Sequence, residues 1–114
     1  MAIIYHNPRC GTSRNVLQAL QDAGHDVQVI EYLKQPLDRD ALAALISSAG
    51  ITVREAIRSK EPVYTELGLD DTSLSDEALL QAMADHPILM NRPFVVTEKG
   101  ARLCRPADTV SEIL

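Results

Sequence analysis

Apolar positions along the chain change their period several times, and each change marks out an element. Ala2-Ile3-Ile4-Tyr5 is a short run with β-branched and aromatic bias, which predicts a buried strand over 2–5. Val16, Leu17, Ala19 and Leu20 then recur at helical spacing, predicting a helix over 13–23 that ends in a turn at Gly24. Asp26-Val27-Gln28-Val29-Ile30-Glu31-Tyr32 alternates as a second strand does. A strand–helix–strand unit of this length implies a parallel pair with a right-handed crossover. After a Lys34–Leu37 loop, Asp38 is placed to cap a helix over 39–48, stopped by Gly50.

The middle of the chain reads as short helical pieces over 52–58 and 62–67, the second ended by Gly68. Ser75 then caps a helix running to about Asp85. The last third differs in texture. Pro93-Phe94-Val95-Val96-Thr97 reads as a strand, Glu98-Lys99-Gly100 as a tight turn, and Ala101-Arg102-Leu103-Cys104 as the returning strand of a hairpin. Asp108 is the expected cap of a last short helix over 109–114. The order is β-α-β, a helical middle, then β-β-α around one mixed sheet. With no repeat, low-complexity stretch or linker, residues 1–114 are expected to form a single domain.

Composition narrows the picture. Hydrophobic residues make up 46 % and charged ones 24 %, an ordinary globular balance. Three tyrosines, one phenylalanine and no tryptophan leave the core to Leu, Ile, Val and Ala. A net charge of −5 argues against general nucleic-acid binding, which rests on phosphate contacts. An anion site must therefore be built locally, from arginines gathered by the fold. No apolar stretch approaches the roughly 20 residues of a membrane span. The N-terminus enters the first strand at once, so no signal peptide is expected. Cys10 and Cys104 are a single distant pair, not a disulfide framework, which points to a reducing cytoplasm and a free Cys10 thiol.

Cys10 carries the chemistry. It lies in His6-Asn7-Pro8-Arg9-Cys10-Gly11-Thr12-Ser13-Arg14, at the passage from the first strand to the first helix. Free amides and partial positive charge at a helix N-terminus lower a thiol pKa and hold anions. Most free cysteines are small buried hydrophobes; that reading fits Cys104, at the end of an apolar strand, but not Cys10 among loop and cap residues. Cys10-Gly-Thr-Ser13 has serine where a dithiol motif has its second cysteine, so an external thiol must resolve any mixed disulfide. The residue six after Cys10 is Val16, which excludes the Cys-x5-Arg phosphate loop. No zinc-ligand spacing is visible, and no metal is expected.

Arg58, Arg92 and Arg105 come from three segments, each beside a turn or proline. Taken singly, each reads as a solvated surface arginine; Arg92-Pro93 is more telling. A proline at the start of such a strand is expected in the cis form, facing the thiol loop. His6 reads either as a group that orients or activates the thiolate or as a loop histidine bonded to backbone. Ser13 reads as a donor to the thiolate, a helix cap, or both.

The chain resembles the glutaredoxin-linked arsenate reductases from Ile3 to Leu114. The resemblance is carried by Tyr5-His6-Asn7-Pro8-Arg9-Cys10-Gly11-Thr12-Ser13-Arg14-Asn15, His86-Pro87-Ile88-Leu89-Met90-Asn91-Arg92-Pro93 and Arg102-Leu103-Cys104-Arg105-Pro106. It implies an α/β, thioredoxin-like mixed sheet with a helical insertion. It also implies a Cys10 nucleophile, a substrate site at Arg58, Arg92 and Arg105, a His6 tied to thiol activation and a Ser13 hydroxyl near the thiolate. Some members extend beyond the position of Leu114, and shorter relatives often vary Gly11-Thr12; the Cys-Gly-Thr-Ser-Arg form kept here favours the reductase. The implied activity is reduction of arsenate to arsenite by a cytoplasmic monomer, with glutathione as co-substrate, glutaredoxin as partner and no bound cofactor. Two rivals are a redox regulator of the same fold that binds RNA polymerase and a glutaredoxin-like thiol transferase. Ser13 counts against the first and the arginine trio against the second.

Overall fold

The computed structural model describes residues 1–114. Four strands form one mixed sheet in the order β2-β1-β3-β4: β1 Ala2–His6, β2 Val27–Glu31, β3 Phe94–Thr97 and β4 Gly100–Leu103. β1 pairs parallel to β2, with Ile4 opposite Val29, and antiparallel to β3, with Ile4 opposite Val95. β3 and β4 form the expected hairpin. The helices are α1 Gly11–Asp22, α2 Arg39–Ser48, α3 Pro62–Glu66 and α4 Asp76–Asp85. No helix is long and apolar enough to cross a membrane.

Strand alternation divides the core into two layers. Ala2, Ile4 and Val95 face α1 and the C-terminal 3-10 turn, packing with Val16, Leu20, Cys104, Val110 and Ile113. Phe94 and Ala101 face the other way, into a larger cluster with Tyr32, Leu42, Leu45, Leu79 and Met83 from the inserted helical segment. The sheet is thus covered on both faces. This places the C-terminal end of β1 and the start of α1 at one edge of the molecule, with the insertion overhanging it.

Most predicted boundaries hold, and the exceptions have physical causes. Asp38 accepts from the Ala41 amide at 2.8 Å and Ser75 from Ala78 at 3.2 Å, as N-caps do. Gly50 follows α2 at φ 71°, the left-handed turn that glycine adopts without strain. Helix α1, however, begins at Gly11, two residues before the predicted start, with Cys10 at the N-cap position and no side-chain cap. Apolar periodicity cannot mark a first turn made of Gly, Thr and Ser. The helical piece expected over 52–58 shrinks to a 3-10 turn, Arg54–Ala56, because Ile57 leaves it to bridge Met90. An unforeseen 3-10 turn, Pro87–Leu89, precedes that bridge. The last helix is a 3-10 segment, Ala107–Glu112, entered from Pro106 without a side-chain cap; Asp108 lies inside it.

Candidate active site

Asn7 builds the turn that presents Cys10. Its carbonyl accepts from the Cys10 amide at 3.0 Å, and its Oδ1 accepts from the Arg9 amide at 3.0 Å. Its own amide donates to Ser13 Oγ at 3.1 Å. The chain therefore folds back on itself between β1 and α1 and leaves Cys10 Sγ over the open end of the helix. Arg14 N donates to the Cys10 carbonyl at 3.0 Å, the first helical bond, so the amides before it are free to face outward.

The two cysteines differ in kind. Burial is the largest single influence on the Cys10 thiol and by itself would raise its pKa. The Ser13 backbone amide, the Arg105 guanidinium and the Arg92 charge together outweigh it and hold the thiol below its ordinary value. Arg105 Nη1 lies 3.6 Å from Cys10 Sγ and also donates to the Arg92 carbonyl at 3.1 Å. Cys104 is fully buried in the α1-side core, and burial pushes its thiol up to about 12, with Glu112 adding to the effect and Arg102 opposing it.

The three arginines converge on this edge. Arg58 and Arg92, with Asn7 and Cys10, line a cleft of about 290 Å³ whose rim carries Leu33 and Ile88. Arg58, Arg92 and Arg105 also line an adjoining cleft of about 360 Å³ with Ser59, Lys60 and Asn91. A larger depression of about 520 Å³ beside Pro36 and Arg39 contains none of these groups. Arg58 and Arg92 are registered by backbone: the Arg58 amide donates to Leu89 O at 2.7 Å and the Asn91 amide to Ala56 O at 2.8 Å. The Arg92-Pro93 peptide is cis, as is Arg105-Pro106.

His6 and Ser13 sit one step back from the thiol. His6 Nδ1 and Ser13 Oγ are 2.6 Å apart, both buried, and burial of the ring lowers the His6 pKa, keeping it neutral. The Ser13 hydroxyl is thus engaged with His6 and Asn7, while its backbone amide serves the sulfur. Three neighbours escaped the sequence reading. Asn7 lay within the motif but between more reactive residue types. Glu61 pairs with Arg58 at 2.9 Å, a partner that its i+3 position does hint at. Tyr32, read only as the last residue of the second strand, follows β2 and is buried in the larger core cluster. No group of three or more His, Cys, Asp or Glu side chains gathers in a metal-binding arrangement.

Fold and site together define a thioredoxin-like protein with a single activated thiol facing an arginine-lined cleft. Apart from the Cys10 sulfur, the polar residues of that cleft are Asn7, Arg9, Arg58 and Arg92, three of them cations, and this suits an oxyanion. The chain belongs to the ArsC family, whose model matches residues 5–113. It is 59 % identical over 111 residues to an arsenate reductase of Rhizobium meliloti (strain 1021), covering 97 % of this chain and 79 % of that protein. With an arsenate reductase of Escherichia coli (strain K12) the identity is 50 % over the same coverage. A solved structure of an arsenate reductase from Vibrio cholerae superposes with a TM-score of 0.95 at 46 % identity, covering 99 % of this chain and 97 % of that one.

Proposed function

We propose that this chain is an arsenate reductase in which Cys10 is the nucleophile and Arg58, Arg92 and Arg105 hold the oxyanion. The observation that carries the reading is the approach of Arg105 to within 3.6 Å of Cys10 Sγ, at a cleft that Arg58 and Arg92 also line. Arsenate enters with its charge offset by the guanidiniums and the α1 amides. The Cys10 thiolate attacks arsenic and forms an S–As bond, while an arsenate oxygen leaves as water after protonation. Arginine contacts that tighten as charge shifts stabilise the transition state.

Glutathione then supplies a second sulfur to arsenic. Two thiol sulfurs give up two electrons and become a disulfide as As(V) falls to As(III), and arsenite is released. Glutaredoxin clears the mixed disulfide, because Ser13 offers no resolving thiol. His6 acts at one remove, fixing the Ser13 hydroxyl and thereby the turn beneath the thiol. A reducing cytoplasm suits a site that must keep Cys10 free, and the free state of both cysteines agrees with it.

The test is arsenate-dependent NADPH oxidation with glutathione, glutaredoxin and glutathione reductase, with arsenite measured as product. The wild type should turn over and Cys10→Ser should not. Activity on a glutathionylated peptide without arsenate turnover would instead identify a general thiol transferase.

A further inference from the structure

The sequence block that ends in Arg92-Pro93 also holds Asn91, to which the reaction gives no role. Its backbone amide donates to Ala56 O at 2.8 Å, beside the Ile57–Met90 bridge, and the Arg58 amide donates to Leu89 O at 2.7 Å. These bonds set the segments of Arg58 and Arg92 side by side. The bridge is a single residue pair, however, so backbone bonds alone leave the chain beyond it free to pivot.

The Asn91 side chain removes that freedom. Its Nδ2 donates to the Glu55 carbonyl at 3.3 Å, in the turn that leads into Arg58. Its Oδ1 accepts from the Arg92 amide at 3.2 Å, and that amide has no other protein partner. One partner donates and the other accepts, so the carboxamide fits in one orientation only. The ties continue past Arg92. Its carbonyl accepts from Arg105 Nη1 at 3.1 Å, and the same Nη1 lies 3.6 Å from Cys10 Sγ. From one side chain, contacts thus reach all three arginine segments, at the cleft that Asn91 itself lines with Arg58, Arg92 and Arg105.

Resting on the arsenate reading, we propose that Asn91 is a positioning residue: its carboxamide fixes the Arg58 and Arg92 segments against each other and, through the Arg92 carbonyl, sets Arg105 beside the thiol. An oxyanion site gains most when its donors are in place before the anion arrives, so that binding need not order them. The Cys10 sulfur reports the same arrangement without substrate. Arg105, Arg92 and the Ser13 amide face it, and Arg9 and Arg58 line its cleft.

Asn91→Ala is therefore read in two ways on the intact protein. The arsenate concentration that protects Cys10 from alkylation should rise roughly three- to tenfold, the loss of one ordinary hydrogen bond. Without anion, the pH midpoint of Cys10 alkylation should move upward, by less than in Arg105→Ala, because the guanidiniums that favour the thiolate are held less firmly. A side chain that serves only stability would lower the melting temperature and move neither readout, which would overturn the proposal. Weaker protection with an unmoved alkylation profile would mean that the amide touches the oxyanion itself, and would count equally against it. So would a moved profile with unchanged protection, since Arg58 and Arg92 would then not depend on Asn91. Asn91→Ser, too short to reach Glu55, takes the place of the alanine protein if that one fails to fold. Wild-type protein that arsenate protects but that does not turn over would sink the reductase reading alone, leaving the two readouts to decide Asn91. Wild-type protein that arsenate fails to protect would remove both.

Discussion

Cys10 and Cys104 are the same residue in opposite surroundings, and the contrast is set by a few atoms. Cys10 has the Ser13 amide and two guanidiniums against its burial; Cys104 has burial and the Glu112 charge. An alkylating reagent at pH 7 should therefore label Cys10 first, as peptide mapping would reveal; first labelling of Cys104 would reverse the assignment. Cys104→Ala should keep most arsenate turnover and lose stability through core packing, on the order of 1–2 kcal/mol, measured by denaturant unfolding. At this scale the sequence was a good guide to residue types and a poor one to their atoms. Helix-terminal placement, turn neighbours and family motifs singled out Cys10, Arg58, Arg92 and Arg105. Which atom of Ser13 faces the sulfur, and that Asn7 braces the turn, depends on where α1 begins. No hydrophobic period records that point.

Elements hold these atoms in place, and their legibility follows their chemistry. Helices α2 and α4 announce themselves through Asp38 and Ser75, whose side chains bond the third amide beyond them. Asp38→Ala should cost about 1 kcal/mol of unfolding free energy while leaving arsenate turnover close to wild type, since the cap lies away from the thiol cleft. A large loss of turnover would mean that the insertion is coupled to the site more tightly than its contacts suggest. Helix α1 has no side-chain cap, because its N-cap residue is Cys10 itself. With cysteine rather than Ser, Thr, Asp or Asn at that position, the sequence carries no capping signal there, and this is why the start of α1 was read late. Arg58 shows the same limit from another side: its placement depends on the Ile57–Met90 bridge, a non-local pairing that local patterns do not contain.

Across the whole molecule, the sheet is a platform with α1 on one face and the insertion on the other, and the site lies where the two meet. The β-α-β and hairpin signals specified the platform; the layering, with Ile4 and Phe94 on opposite faces, came only with the pairing register of β1 and β3. The same burial that positions His6 makes global stability depend on pH. The folded state holds the His6 pKa below its ordinary 6.5, so the unfolded chain takes up its proton first. The stability present above pH 6.5 should decline as pH falls from there toward the lower folded value. Urea unfolding between pH 7.5 and 5 should show this decline, and it should be shallower in His6→Gln; an identical slope in the two proteins would locate the titration elsewhere.

The most direct test of the account compares two reactions of the same thiol. If Arg58, Arg92 and Arg105 hold the oxyanion as proposed, each change to alanine removes charge-assisted hydrogen bonds worth roughly 1.5–3 kcal/mol. Arsenate turnover should fall about ten- to a hundred-fold in each, with lysine replacements recovering only part of it. Exchange of Cys10 with a small disulfide, which needs no oxyanion site, should change far less once any shift in thiol pKa is allowed for. Selective loss of arsenate turnover is the predicted result; parallel losses in both reactions, or losses in neither, would contradict an oxyanion-directed thiolate at Cys10.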